Sequence, residues 1–143
     1  GWQVLHLRGK DNDAPESTPD GFVSLGYTDR MDLALRAASL VVSRAGAATV
    51  SEIQLTGVPA VFIPYHVGNG EQEHNARATI DAGAAVMVAN KDFTPEWVRA
   101  SLLPLMADKK KLSAMATSMA RLGVSDAAMS VAQMAHQATQ KGF

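Results

Sequence analysis

No cysteine occurs in the 143 residues, so disulfides and thiolate metal sites are excluded. No apolar run approaches the roughly 18 residues that a spanning helix needs, and no signal-peptide pattern opens the chain. Charge of one sign is also lacking. Thirteen Lys and Arg against fourteen Asp and Glu leave a net charge of -1, which favours neither nucleic acid nor an anionic surface. The one basic run, Lys109 to Lys111, reads as a solvated helix end. The four histidines, His6, His66, His74 and His136, stand too far apart for metal-ligand spacing, and no Asp-x-Asp pattern is present to hold a metal.

What remains is ordinary globular material: 47% hydrophobic and 19% charged residues. The length suits a single domain with a core of its own, taken here as residues 1–143, and the expected location is the cytoplasm. The chain opens Gly1-Trp2 without Met, as a piece of a longer protein or a tagged chain would.

Hydrophobic patterning predicts strands at Gln3–Leu7, Phe22–Tyr27, Leu40–Ser43, Ala60–Pro64 and Ala84–Ala89. Helices are predicted at Asp32–Ala38, Thr49–Leu55, Gln72–Ala82, from Pro95 to about Met106, Lys109–Arg121 and Asp126–Thr139. Gly57 and Gly83 supply helix stops, and Thr94-Pro95 is a helix start. Strands that alternate with helices imply an α/β fold with a doubly wound parallel sheet, whose ligands gather at the carboxyl ends of the strands.

Three clusters lie at such ends. In "SRAGAATVSE", Gly46, Ala47 and Ala48 would let a phosphate approach the free amides of a helix N-terminus. The Thr49 hydroxyl adds a donor, and Glu52 could accept from two ribose hydroxyls. The same Thr49-x-x-Glu52 spacing also fits a capping box, which needs no ligand. In "GNGEQEHN", from Gly68 to Asn75, Glu71 and Asn75 share one helix face with Gln72 beside it. Their donors and acceptors suit a sugar with several hydroxyls, or simply a solvated helix start; His74 reads as a surface or packing residue. In "GYTDRM", backbone groups near Thr28 could read a base edge with Tyr27 or Met31 over its face. A turn capped by Thr28 or Asp29 accounts for it equally.

Taken together, "VVSRAGAATVSEI", "GVPAVFIPY", "GNGEQEHNA" and "AGAA" resemble the donor-binding half of the MurG family of peptidoglycan glycosyltransferases. The resemblance runs from "LHLRGK" to "SDAAMSVAQMA", and the "GNGEQ" and "DFTPEWVR" wording is most like its actinobacterial branch. It implies the C-terminal, Rossmann-like half of a two-domain GT-B enzyme, an inverting transferase of N-acetylglucosamine from UDP-N-acetylglucosamine to a lipid-linked muramyl-pentapeptide. The activity implied is cell-wall synthesis on the cytoplasmic face of the plasma membrane. The split lipid-linked-oligosaccharide transferases, in which the donor half is a separate subunit, and a non-catalytic nucleotide-sugar module are the alternatives. An epimerase of the same fold is less well matched, since no catalytic carboxylate and histidine constellation is found.

By resemblance, Gly46, Ala47, Ala48 and Thr49 would meet the diphosphate, Glu52 the ribose, Gln72 and Asn75 the sugar hydroxyls, and Thr28 the uracil beside Tyr27 and Met31. Arg44 falls in an Arg-Ser-Gly-Ala motif in which Ala45 replaces the serine, removing a phosphate hydroxyl. Glu71 stands where some relatives have Gln or His, and a carboxylate offers only acceptors. No cofactor and no catalytic residue is assigned to this stretch. The acceptor-side domain and the donor domain's first strand are absent from it, which implies a central gap in the strand order. The last helix places Ala127, Val131, Met134 and Ala138 at helical spacing. That stripe is expected to pack, and any exposed part of it would favour a homodimer.

Overall fold

In the computed structural model, residues 1–65, 69–123 and 127–140 are described. The chain divides into two compact units, Gly1–Ala38 and Ser39–Phe143.

In the first unit, β1 (Val4–Leu7) and β2 (Phe22–Leu25) pair in parallel, with Val4 opposite Phe22 and Leu7 opposite Leu25. The polar loop between them returns the chain through Gly21, whose φ of 82° suits glycine and brings it against the Trp2 carbonyl. Helix α1 (Met31–Ala37) follows β2. Its N-cap is Arg30 rather than Thr28 or Asp29, and no side chain caps it. The Thr28 hydroxyl instead accepts from the Arg30 amide at 3.0 Å, an amide that the helix would otherwise leave open. Leu35 is the one buried residue of this unit, while Val4, Leu5, Val23 and Leu25 stay exposed.

The second unit holds a three-stranded parallel sheet in the order β3 (Val41–Ser43), β4 (Ala60–Phe62), β5 (Ala85–Met87). Val42, Val61 and Val86 lie in register across it. The central strand is fully buried, as an unbroken apolar run in a parallel sheet should be. Among the described residues the strands form two separate sheets, one in each unit.

Helix α2 (Ala47–Thr56) begins two residues earlier than its sequence pattern suggests. It buries Val50 and Ile53 and ends at Gly57 in the left-handed region, φ 72°. Helix α3 (Glu71–Asp81) buries Ala76 and Thr79. Between the two helices, the Gln54 side-chain amide donates to the buried Thr79 hydroxyl at 2.9 Å. That bond satisfies a polar group which would be costly to bury alone.

The helix expected from Pro95 to Met106 is interrupted. An α-helical turn, α4 (Pro95–Trp97), passes into a π-helical stretch at Val98–Leu102 and then α5 (Leu103–Ala107). Pro104 explains the change, because it has no N–H and its ring clashes with the carbonyl four residues back. The wider turn, with the Leu103 amide bonded to the Val98 carbonyl, takes up that misfit. Leu102 and Leu105 then enter the core with Val61, Ile63, Val88 and Met115. Met115 comes from α6 (Lys109–Ala120), whose N-cap Asp108 accepts from the Lys111 amide at 2.9 Å.

Helix α7 spans Ala127–Gln140, and the expected first residue Asp126 lies outside the described residues. Val131, Met134 and Ala138 are exposed rather than packed as expected, and the side chain of Ala127, the fourth residue of the stripe, lies outside those described. Among the described residues, no helix is long and apolar enough to cross a membrane.

Candidate functional site

Loops at the carboxyl ends of β3 and β4 bring the central cluster together. β3 ends at Ser43, and Arg44, Ala45 and Gly46 lead directly into α2. Gly46 is the N-cap in extended geometry, and no side chain caps the helix. The first intrahelical bond runs from the Val50 amide to the Gly46 carbonyl at 2.9 Å. The amides of Ala47, Ala48 and Thr49 precede it and have no acceptor among the described residues. Ala47 and Ala48 are exposed, so these donors open to solvent at the positive end of the helix dipole.

This geometry corrects the capping-box alternative. Thr49 is the third residue of α2; the N-cap is Gly46, and no side-chain hydrogen bond caps the helix among the described residues. Two alanines are good helix formers, and they carry the helix back to Gly46 past the threonine. Glu52 is left exposed near the first turn, and its carboxylate has no partner among the described residues.

Arg44 does not extend freely. Its Nη1 donates to the Ile63 carbonyl at 3.0 Å, and its guanidinium lies 5.4 Å from the centre of the Tyr65 ring. The arginine therefore spans from the end of β3 to the segment just after β4. Ala45 is fully buried, so its methyl faces the interior.

Gln72 and Asn75 project from the first turns of α3 onto the β3–α2 turn. The Gln72 Oε1 accepts from the Tyr65 amide at 2.9 Å and from the Ala45 amide at 3.3 Å. Asn75 Nδ2 donates to the Ala45 carbonyl at 3.1 Å. These two residues are three apart and face one way, whereas Glu71 stays exposed at the helix start. Gly68, in the loop before α3, lies outside the described residues. Tyr65 was not singled out by sequence reasoning; its place directly after Pro64, at a strand's carboxyl end, was the available signal.

Tyr27, Thr28 and Met31 belong to the first unit. Tyr27 is exposed, with the Lys10 ammonium 4.0 Å from its ring centre. Among the described residues, the backbone N–H and C=O of Thr28 make no backbone hydrogen bond, and Met31 is exposed as the first residue of α1. Among the described residues, no group of three or more His, Cys, Asp or Glu side chains could hold a metal ion.

Residues 1–131 match the family model described as the glycosyltransferase family 28 C-terminal domain. The chain is 48% identical over 126 residues to the UDP-N-acetylglucosamine--N-acetylmuramyl-(pentapeptide) pyrophosphoryl-undecaprenol N-acetylglucosamine transferase of Leifsonia xyli subsp. xyli, covering 88% of this chain and 35% of that protein. It is 45% identical over 138 residues to the protein of the same description from Clavibacter michiganensis subsp. michiganensis, covering 96% of this chain and 38% of that one. Among solved structures it is similar to Acinetobacter baumannii MurG, with a TM-score of 0.76 at 28% identity over 85% of this chain and 36% of the other. The parallel sheets flanked by helices are thus Rossmann-like and correspond to the C-terminal half of a GT-B glycosyltransferase. The chain spans little more than a third of the length of these relatives.

Proposed function

The chain belongs to glycosyltransferase family 28 through its C-terminal domain, and from that premise we propose that residues 1–143 form the single donor-binding domain of an inverting N-acetylglucosaminyltransferase. The donor is UDP-N-acetylglucosamine, the substrate that the descriptions of the relatives print. The acceptor is the lipid-linked muramyl-pentapeptide, engaged through a domain outside this stretch at the cytoplasmic membrane surface.

The uncapped N-terminus of α2 carries the proposal. Three amide donors without an acceptor among the described residues, Ala47 to Thr49, sit at the positive end of a ten-residue helix behind a glycine, the first two of them on exposed residues. That arrangement suits a diphosphate. The Thr49 hydroxyl adds a donor, and the exposed Glu52 carboxylate suits the two ribose hydroxyls. Gln72 and Asn75 face the sugar from α3, with Glu71 at the rim. In the first unit, taken by itself, Thr28 with Tyr27 and Met31 beside it is the candidate contact for a uracil base.

In the transfer, an acceptor hydroxyl attacks the anomeric carbon of the sugar while the bond to the diphosphate breaks. Negative charge grows on the departing UDP. Amides already aimed at that oxygen cluster stabilise it without reorganising, which is the contribution this domain makes to the rate. No catalytic residue is assigned within this domain.

Calorimetric titration with UDP-N-acetylglucosamine, UDP-glucose and UMP tests the reading, with Glu52→Ala measured in parallel. UDP-N-acetylglucosamine is expected to bind the most tightly of the three. Loss of a charged hydrogen bond to the ribose should weaken it about tenfold to hundredfold in Glu52→Ala, with the melting temperature unchanged. A folded chain that binds none of the three ligands, or a Glu52→Ala variant that binds as well as the parent, overturns the assignment.

A further inference from the structure

The hydrogen bonds around Gln72 decide which of its ends is available. Among the described residues, the two groups bonded to its side chain are backbone N–H donors, those of Ala45 and Tyr65, so the side-chain oxygen faces them. At Asn75 the neighbour is the Ala45 carbonyl, so the nitrogen must face inward. Arg44 completes the ring by donating to the Ile63 carbonyl. Three chain segments thereby meet at one place: the β3–α2 turn, the residues after β4, and the start of α3. The joining bonds link positions 19, 27, 30 and 7 residues apart.

We propose that Gln72 is a positioning residue: its Oε1, shared between the Ala45 and Tyr65 amides, fixes the turn that aims the free amides of α2. The inference extends the donor-site reading, but the clamp itself exists in the ligand-free chain. Ala45 is the pivot. It is fully buried, it immediately precedes the N-cap Gly46, and Gln72 and Asn75 hold its N–H and C=O from the same helix. A shift of Ala45 moves Gly46 and therefore the direction of the Ala47, Ala48 and Thr49 amides. Since the Gln72 oxygen is committed to the backbone, the side chain can present only N–H donors to a ligand. Preorganisation of this kind is what makes such donors effective toward developing charge.

Two variants separate the functions of the side chain. Gln72→Met keeps the volume and removes the good acceptor. Gln72→Glu keeps the acceptor and removes the donors. Amide hydrogen exchange at Ala45 and Tyr65, followed by NMR in the ligand-free chain, reads the clamp directly. In Gln72→Met both amides should exchange about fivefold faster or more, the size expected for losing one ordinary hydrogen bond each. In Gln72→Glu their protection should return. UDP-N-acetylglucosamine affinity is measured on the same samples and should fall in Gln72→Met.

Unchanged exchange at Ala45 and Tyr65 in Gln72→Met overturns the clamp, whatever the ligand does. Faster exchange that Gln72→Glu fails to restore overturns it as well, since packing alone would then account for the loss. Faster exchange with unaltered donor affinity in Gln72→Met overturns the positioning role. Failure of the parent chain to bind the donor strikes the functional reading instead, and the exchange data still decide whether the clamp exists.

Discussion

Asn75 Nδ2 donates to the carbonyl oxygen of Ala45 at 3.1 Å, across thirty positions of sequence. A helix that begins after β4 therefore holds the backbone of a turn that follows β3. The residue next to the held carbonyl is Gly46, and the open side of the turn is the end of α2.

Gly46 is expected to matter for ligand and not for fold. Its φ of -63° and ψ of 146° are open to any residue, and a Cβ there would meet only the Thr49 hydroxyl, at 3.8 Å. Gly46→Ala should change stability by no more than about 1 kcal/mol. The added methyl lies beside the free amides and should lower donor affinity. Thermal unfolding and calorimetry on the same variant check both halves. A melting temperature that falls together with affinity would move Gly46 into the structural class.

Gly123 should behave in the opposite way. A Cβ at this position would lie 2.7 Å from the Gln54 carbonyl oxygen and 3.3 Å from the Leu55 Cα. Those atoms belong to the backbone of α2 and cannot swing aside. Gly123→Ala is therefore expected to cost about 1–3 kcal/mol, the usual range for overpacking. A lowered urea midpoint with an unchanged slope is the expected observation. No change in midpoint would mean that the two segments part without strain.

Acid should remove one small surface contribution. Arg30 and Asp32 form a two-pronged ion pair, at 3.0 and 2.8 Å, at the start of α1. The hydrogen bond from Arg30 holds the Asp32 carboxyl below its ordinary value of 3.8, against an opposing effect of desolvation. A carboxyl with a depressed folded-state value stabilises the fold above its unfolded value and loses that effect as pH falls through the folded one. The stability difference between the parent and Asp32→Asn should therefore be level near neutrality and shrink below about pH 4. Both groups are solvent-exposed, so added salt should reduce the difference at neutral pH. A difference that persists unchanged in acid would assign it to something other than the carboxylate.

The strands and most helix ends were legible because their signals are local. An apolar run wrote β4, and Gly57 and Gly83 wrote the ends of α2 and α3 with positive φ. The start of α2 was ambiguous because Thr49-x-x-Glu52 obeys a local rule that two upstream alanines overrode. The π-helical stretch had a local sign too, Pro104, whose cost falls on a carbonyl four residues earlier. The partners of Gln72 and Asn75 could not be read at all. Both amides looked like ligand-facing groups, and only the packing of α3 against the β3–α2 turn shows which atoms are already engaged.

The outer edge of β3 gives the chain a second kind of behaviour. Val41 and Ser43 bond inward, to Pro59 and Ile63, and no strand pairs with the other side of β3 among the described residues. Val42 is exposed there, between Val41 and Ser43. Adjacent amides of one strand thus keep different clocks, one sealed by its neighbour and one open to water. An open row of this kind is also a template on which any extended segment can crystallise a further strand. How long a concentrated solution of the chain stays clear is then a question about Val42 as much as about the buried core.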